Sequence, residues 1–313
     1  MFDLSVRSSY RSRVARHLTA AAALLLSAGV TLADDAPAAD AAAPADPNTG
    51  KITLSGGVDF PTQYIFRGIK QEDSGFIAQP WATVDFSLYK GDAPLNGINL
   101  YFNTWNSLHS EQTGSTDGGA EIWYESDFTM GLNFGLFDNF TAGVAYVAYT
   151  SPNDAFNTVQ EIDLSLAYND AAFWESVGLP FGGLQPSMLV AFEFDNQADG
   201  GSDKGTYLQI GIKPGFTLIQ SETMPVTLSF PTLVGLSLDK DYYESGRTSS
   251  TFGYFSTGAV LSMPLAFIPS DYGAWSAYAG CHLMTLGESA DDFNDGDTPD
   301  WEILGTFGFS VTY

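Results

Sequence analysis

The sequence predicts an all-β fold, a transmembrane antiparallel up-and-down β-barrel of about 12 strands. Three observations carry that expectation. Apolar and polar residues alternate with period two through most of the chain after Gly50, the polar positions carry few charges, and no later stretch is apolar enough for a membrane helix.

Taken in chain order, residues 1–33 have the parts of a secretory signal peptide. Arg7, Arg11, Arg13 and Arg16 make a basic start, Leu18 to Val30 is apolar, and Thr31-Leu32-Ala33 supplies a small-residue cut ending at Ala33. An uncleaved membrane helix is the rival reading, and the run falls short of the roughly 18–20 apolar residues a span needs. Residues 34–50 read DDAPAADAAAPADPNTG and have nothing to bury, so a disordered Ala/Pro/Asp-rich leader is expected there. The barrel is then expected over 51–313. The longest later apolar run, Gly258 to Ile268, is interrupted by Ser262 and Pro264. A chain that spans the membrane must therefore close as a barrel, because lipid leaves open strand edges unsatisfied.

The alternation divides into 12 units separated by turns rich in Gly, Asp, Asn, Ser or Pro: 51–69, 76–90, 95–108, 118–135, 138–150, 157–170, 184–196, 205–217, 224–238, 250–265, 274–288 and 300–313. In the fourth, Ile122, Tyr124, Phe128, Met130, Leu132 and Phe134 share a face opposite Glu121, Trp123, Glu125, Asp127, Thr129 and Asn133. In the sixth, Ile162, Leu164, Leu166 and Tyr168 oppose Glu161, Asp163 and Ser165. The ninth sets Val226, Leu228, Phe230, Val234, Leu236 and Leu238 against Thr227, Ser229 and Asp239. In the last, Ile303, Phe307, Phe309, Val311 and Tyr313 oppose Thr306, Ser310 and Thr312.

A soluble barrel also alternates, but it covers its outer face with Lys, Glu and Arg. Here charged residues are 16% of the chain, against about 25% in soluble domains. The polar positions are mostly Asn, Thr, Ser and Gly, which fits a wet interior with the apolar parity turned to lipid. Tyr64, Tyr89, Tyr101, Trp105, Trp123, Tyr149, Trp275 and Trp301 lie near unit ends and are expected in interfacial girdles. With the first connection taken as outer, long and short connections mostly alternate. The exception is Ala171 to Leu184, which is long and apolar for an inner connection and reads as an interfacial segment or a plug.

The formal charge is −25, and without residues 1–33 the chain keeps 8 basic and 36 acidic residues. Such a balance repels phosphate backbones, excludes nucleic-acid binding as an expected role and favours cations as partners. Cys281 is the single cysteine, so no internal disulfide is possible. No zinc spacing, phosphate-binding Gly-rich loop or nucleotide fingerprint is present, and no cofactor is expected.

Gln63-Tyr64-Ile65-Phe66-Arg67-Gly68-Ile69 resembles the Tyr-x-Phe-Arg-Gly signature at the first strand of the TorF-like porin family, also called the Gcw_chp family. The match covers under a tenth of the chain, and Thr62-Gln63 stand where that family commonly has Ser and Asp or Asn. The resemblance implies a bacterial outer-membrane barrel without naming a substrate. The last strand, with Phe307, Phe309, Val311 and terminal Tyr313, also looks like a signal for the barrel-assembly machinery.

With the polar parity inward, the expected pore-lining residues are Asp59, Gln63, Arg67, Asp85, Glu121, Glu125, Asp127, Asp163, Glu193, Asp195 and Lys213, joined by Asn99, Asn103 and Gln209. Acids dominate, so the expected function is a porin-like channel of the outer membrane that prefers small cations. Arg67 and Lys213 are the few inward cations, and each is placed to pair with a carboxylate across the lumen. Twelve strands are intermediate between filled and open barrels, so a narrow or occluded pore is expected.

Two other classes stand beside the channel. A lipid hydrolase would need a triad, for which His109 near Ser107 and Ser110 is the sole candidate, with no nucleophile motif. A non-conducting structural or surface-binding barrel would work through outer loops such as the one bearing Asp291, Asp292, Asp295, Asp297 and Asp300, whose spacing departs from the calcium-loop template.

Overall fold

The computed structural model describes residues 50–114, 121–179, 181–198, 203–221, 224–239, 241–245, 249–294 and 300–313. The expected signal peptide and all of the expected leader except Gly50 lie outside the described residues, as do Asp295 and Asp297 of the acidic loop.

The strands are β1 (Ile52–Pro61), β2 (Tyr64–Phe66), β3 (Ile69–Glu72), β4 (Ile77–Lys90), β5 (Leu95–His109), β6 (Trp123–Leu136), β7 (Phe140–Thr150) and β8 (Val159–Tyr168). After helix α1 (Ala171–Ser176) come β9 (Ser187–Asp195), β10 (Thr206–Ile212), β11 (Gly215–Ile219), β12 (Val226–Ser229), β13 (Thr232–Ser237), β14 (Phe252–Pro264) and β15 (Ala274–Leu286). Helix α2 (Glu288–Phe293) and β16 (Trp301–Thr312) complete the order.

All strands but β2 and β3 form one antiparallel sheet that closes on itself into a 12-strand barrel. Closure runs through β1, which pairs with β4 on one edge and with β16 on the other, from Ser55↔Thr312 to Pro61↔Thr306. Among the described residues every wall strand except β11, which pairs with β12 alone, is paired on both edges, and a closed wall is the condition for crossing lipid.

Two of the 12 staves are broken by proline. Pro214 separates β10 from β11 and Pro231 separates β12 from β13, because a residue without an N–H cannot donate to the ladder. Their carbonyls still serve it: Pro214 accepts from the Phe230 amide at 2.8 Å and Pro231 from the Gly258 amide at 2.9 Å.

The expected faces are read directly from exposure. In β6, Phe128 and Met130 are 54% and 49% exposed, while Asp127 and Thr129 between them are 2% and 3% exposed. Ile162, Leu164 and Leu166 of β8 and Ile303, Phe307 and Phe309 of β16 are likewise exposed, whereas Glu161, Asp163 and Ser310 are buried. Oily side chains thus point away from the barrel and polar ones into it, the inverse of a water-soluble barrel and the arrangement of a transmembrane one.

Four sequence expectations are corrected. The first unit does not run to Ile69: the wall strand ends at Pro61, and β2 and β3 form a separate two-stranded hairpin. Tyr124 is buried rather than lipid-facing, since a register shift between Ser107 and Leu108 opposite the start of β6 lets Tyr124 and Glu125 both turn in. Tyr64, Tyr101, Trp105 and Tyr149 are buried inside the barrel instead of forming girdles, whereas Tyr89, Trp123 and Trp301 are exposed. Finally, the 171–184 connection is no plug: it carries α1, and its Phe173, Val177 and Leu179 are exposed.

Candidate functional site

What occupies the barrel interior is the β2–β3 hairpin. Arg67 and Gly68 form its tip with φ of +48° and +89°, as a tight hairpin turn of mirror-image type requires. Gly68 takes that conformation without a Cβ penalty, while Arg67 holds it under strain. Tyr64, Ile65, Phe66, Arg67 and Ile69 are all buried, while Lys70 and Gln71 are half-buried. Tyr64 and Phe66 join one apolar cluster inside the barrel with Trp105, Tyr124 and Tyr149, and Ile65 joins another with Tyr207, Tyr242, Tyr243 and Tyr254.

The tip makes the most concentrated set of contacts. Arg67 Nη1 donates to Glu161 Oε1 at 2.7 Å and Nη2 to Glu161 Oε2 at 2.8 Å, a bidentate pair with both side chains fully buried. The same nitrogens donate to Tyr242 Oη at 2.9 Å and Tyr149 Oη at 3.1 Å. The guanidinium carbon lies 4.3 Å from the Tyr207 ring centre, 4.9 Å from Phe66, 5.5 Å from Tyr242 and 5.9 Å from Tyr149. A planar cation stripped of water is thus met by a forked carboxylate, two hydroxyls and aromatic faces, the combination that offsets desolvation of a buried charge. Among its nitrogens, Nε alone is buried without a hydrogen bond.

Further bonds tie the hairpin backbone to the loops. Tyr243 Oη donates to the Arg67 carbonyl at 2.7 Å, and Asn294, which ends α2, donates to the Gly68 carbonyl at 2.8 Å and accepts from the Lys70 amide at 2.6 Å. Tyr64 Oη donates to Glu125 at 2.7 Å. Glu72 closes the hairpin: it accepts from the Asp73 and Ser74 amides and the Ser74 and Thr113 hydroxyls. Burial alone would raise its carboxyl, but those hydrogen bonds outweigh burial and hold it below the usual carboxylate range.

Thr113 in turn contacts His109 Nδ1 at 2.7 Å, and His109 Nε2 lies 2.8 Å from Ser107 Oγ. Ser107 and His109, the hydrolase candidate of the sequence, thus belong to a Ser–His–Thr–Glu chain. Ser107 and His109 are 0% and 1% exposed, inside the barrel, and Gln79 also donates to the Ser107 hydroxyl. The chain of contacts links Glu72 of the hairpin to Ser107 and His109 of β5.

The expected lining residues divide into three sets. Asp59, Arg67, Glu125, Asp127, Asp163 and Glu193 are buried inside, and Asp85 shares the inward parity of Thr83. Tyr278 donates to Asp59, and Glu193 is committed to the β9–β10 loop, accepting from the Ala198 amide at 2.6 Å and the Gly205 amide at 2.8 Å. Lys213 is half-buried at the β10–β11 break, where its amide donates to Leu184 at 2.8 Å.

Gln63, Glu121 and Asp195 do not face inward. Gln63 reaches over the start of β16 to the Ile303 carbonyl at 3.0 Å, because the wall strand has already ended. Glu121 is exposed ahead of β6. A register shift between Gln160 and Glu161 turns Asp195 outward, where it accepts from Gln160 at 2.7 Å.

Sequence reasoning missed Glu161, Tyr149, Tyr207 and Tyr242 as partners of Arg67. Glu161 was legible, since it shares the face of Asp163; Tyr242 lies in a loop and carries no periodic signal.

No protein-family model matches the chain, and no curated protein matches it. Among solved structures, a NanC porin shares 11% identity at a TM-score of 0.38, covering 83% of this chain and 98% of that one. An outer membrane channel from Pseudomonas putida F1 shares 10% identity at 0.41, covering 86% and 99%. A bacterial polysaccharide outer membrane secretin shares 10% at 0.43, covering 84% and 97%. At this distance the likeness identifies neither a substrate nor a function.

Proposed function

We propose that the chain is a porin-like channel of the bacterial outer membrane that passes small cations along a narrow acidic interior, closed at the hairpin end in the conformation described. The observation that carries this reading is the inward parity of the wall, which turns Asp59, Asp85, Glu125, Asp127, Glu161, Asp163 and Glu193 towards the interior that also holds Arg67. Fixed carboxylates in a confined wet path lower the energy of cations and raise that of anions.

The apolar outer parity supports lipid as the surrounding medium. The expected signal peptide supports export, and the alternating last strand ending at Tyr313 supports insertion by the barrel-assembly machinery. The Tyr64–Gly68 segment supports kinship with the TorF-like family, since the residues that carry the resemblance are those that build the hairpin tip.

The test is conductance of the refolded protein in planar bilayers under a potassium chloride gradient. The reversal potential is expected to move towards the potassium equilibrium value, and movement towards chloride overturns the cation preference. The hairpin's occupation of the interior favours one second reading, a non-conducting structural or surface-binding barrel. Absence of any conductance, also after removal of residues 62–72, decides for that alternative.

A further inference from the structure

We propose that the barrel contains a binding site for a monoalkylguanidinium solute, formed by Glu161, Tyr149, Tyr207 and Tyr242 and filled in this conformation by the chain's own Arg67. The placement of the site on a solute path rests on the channel reading above; the site itself does not.

The geometry separates host from guest. Tyr149 belongs to β7, Glu161 to β8 and Tyr207 to β10, with Tyr242 in the connection that follows β13. None of the four is part of the hairpin, so the site survives when the hairpin leaves. Recognition is confined to the head group: Nη1 and Nη2 make every hydrogen bond, and Nε makes none. A guanidinium carrying any single alkyl substituent presents that same head.

The guest's own strand pairing is short, and its other backbone bonds come from the side chains of Tyr243 and Asn294. β2 and β3 pair over Tyr64↔Glu72, Ile65↔Lys70 and Phe66↔Ile69 and join no wall strand. A two-stranded hairpin of this size is marginal alone, and its tip residue sits at positive φ. Arg67 is therefore a tethered ligand, competing at an effective concentration on the order of millimolar.

Removing it leaves Glu161 buried without its cation, beside Asp163, whose two carboxylate oxygens take no hydrogen bond in the protein. An uncompensated buried carboxylate draws a cation. The forked carboxylate and flat rings favour a planar guanidinium over a spherical ammonium, which cannot form two parallel bonds.

The experiment uses Arg67→Ala protein refolded into detergent micelles with methylguanidinium chloride as probe. Millimolar methylguanidinium should raise the apparent thermal midpoint by about 2–4 °C with saturation, and equal sodium or tetramethylammonium chloride should give less than a third of that. If Arg67→Ala refolds poorly, the readout is refolding yield, expected to rise at least twofold with methylguanidinium alone. The Arg67→Ala/Glu161→Gln double variant should lose the response. A methylguanidinium effect no larger than that of sodium, or one that persists in the double variant, overturns the site. A micelle response without bilayer conductance removes the channel reading and leaves the site standing.

Discussion

The wall and the hairpin inside it are held by different physics. The wall strands other than β11 are paired on both edges, for example through 11 consecutive pairs between β6 and β7, so the loss of any single side chain is shared among many backbone bonds. The hairpin has three residue pairs of its own and depends on a handful of side-chain contacts, with Arg67–Glu161 at their centre. The wall is held by a continuous ladder, whereas the hairpin is held by specific side-chain contacts, and any opening of the interior is expected to come from the hairpin.

The comparison can be broken most directly at Glu161. Glu161→Ala strands the Arg67 guanidinium in a buried site and is expected to cost about 3–5 kcal/mol, read as a lower urea midpoint. If the hairpin swings out instead, the loss is smaller and bilayer conductance rises. A wall substitution gives the contrast: Met130→Arg puts a charge on the lipid face midway along β6 and should cost about 2–4 kcal/mol if that position is near the bilayer centre, with no change in conductance through the hairpin.

Finer substitutions sharpen the picture. Tyr243 lies over Gly253 so closely that an added Cβ there would sit 2.0 Å from its ring, while its hydroxyl holds the Arg67 carbonyl. Tyr243→Phe keeps the packing and removes the bond, at a cost of about 0.5–1.5 kcal/mol, whereas Gly253→Ala must displace the ring and is expected to cost more. The two are separated by equilibrium unfolding in urea.

The smallest effect is expected from Glu72. Because its carboxyl is held below the usual range in the fold, it contributes stability that is present above its unfolded value of about 4.3 and lost as pH falls through the lower folded value. Glu72→Gln should therefore lower stability at pH 7 and flatten the acid limb of the stability profile below about pH 4, measured by urea titrations at successive pH values.

The site was only partly legible along the chain. Asp127 and Asp163 announce their inward direction through neighbours two positions away, and both face inward. Gln63 and Asp195 obey the same parity on paper and fail it, because Pro61 ends the first wall strand and a bulge beside Glu161 shifts the register. A single inserted residue reverses every later side chain on a strand, and the alternation of one strand does not reveal a slip relative to its partner. The aromatic residues were misplaced for a related reason: Tyr64, Trp105 and Tyr149 pack equally well at a lipid interface or against one another, and composition does not distinguish the two.

By itself the sequence determined the wall: closed, antiparallel, oily outside and polar within. That information is local, since period-two alternation is written residue by residue and lipid permits one way of satisfying the backbone. Only the tertiary structure decided that residues 62–72 fold inward and that Arg67 is met by Glu161 and Tyr242, 94 and 175 positions further along the chain. Partners that distant become neighbours through barrel closure, which brings together side chains that no pattern along the chain relates.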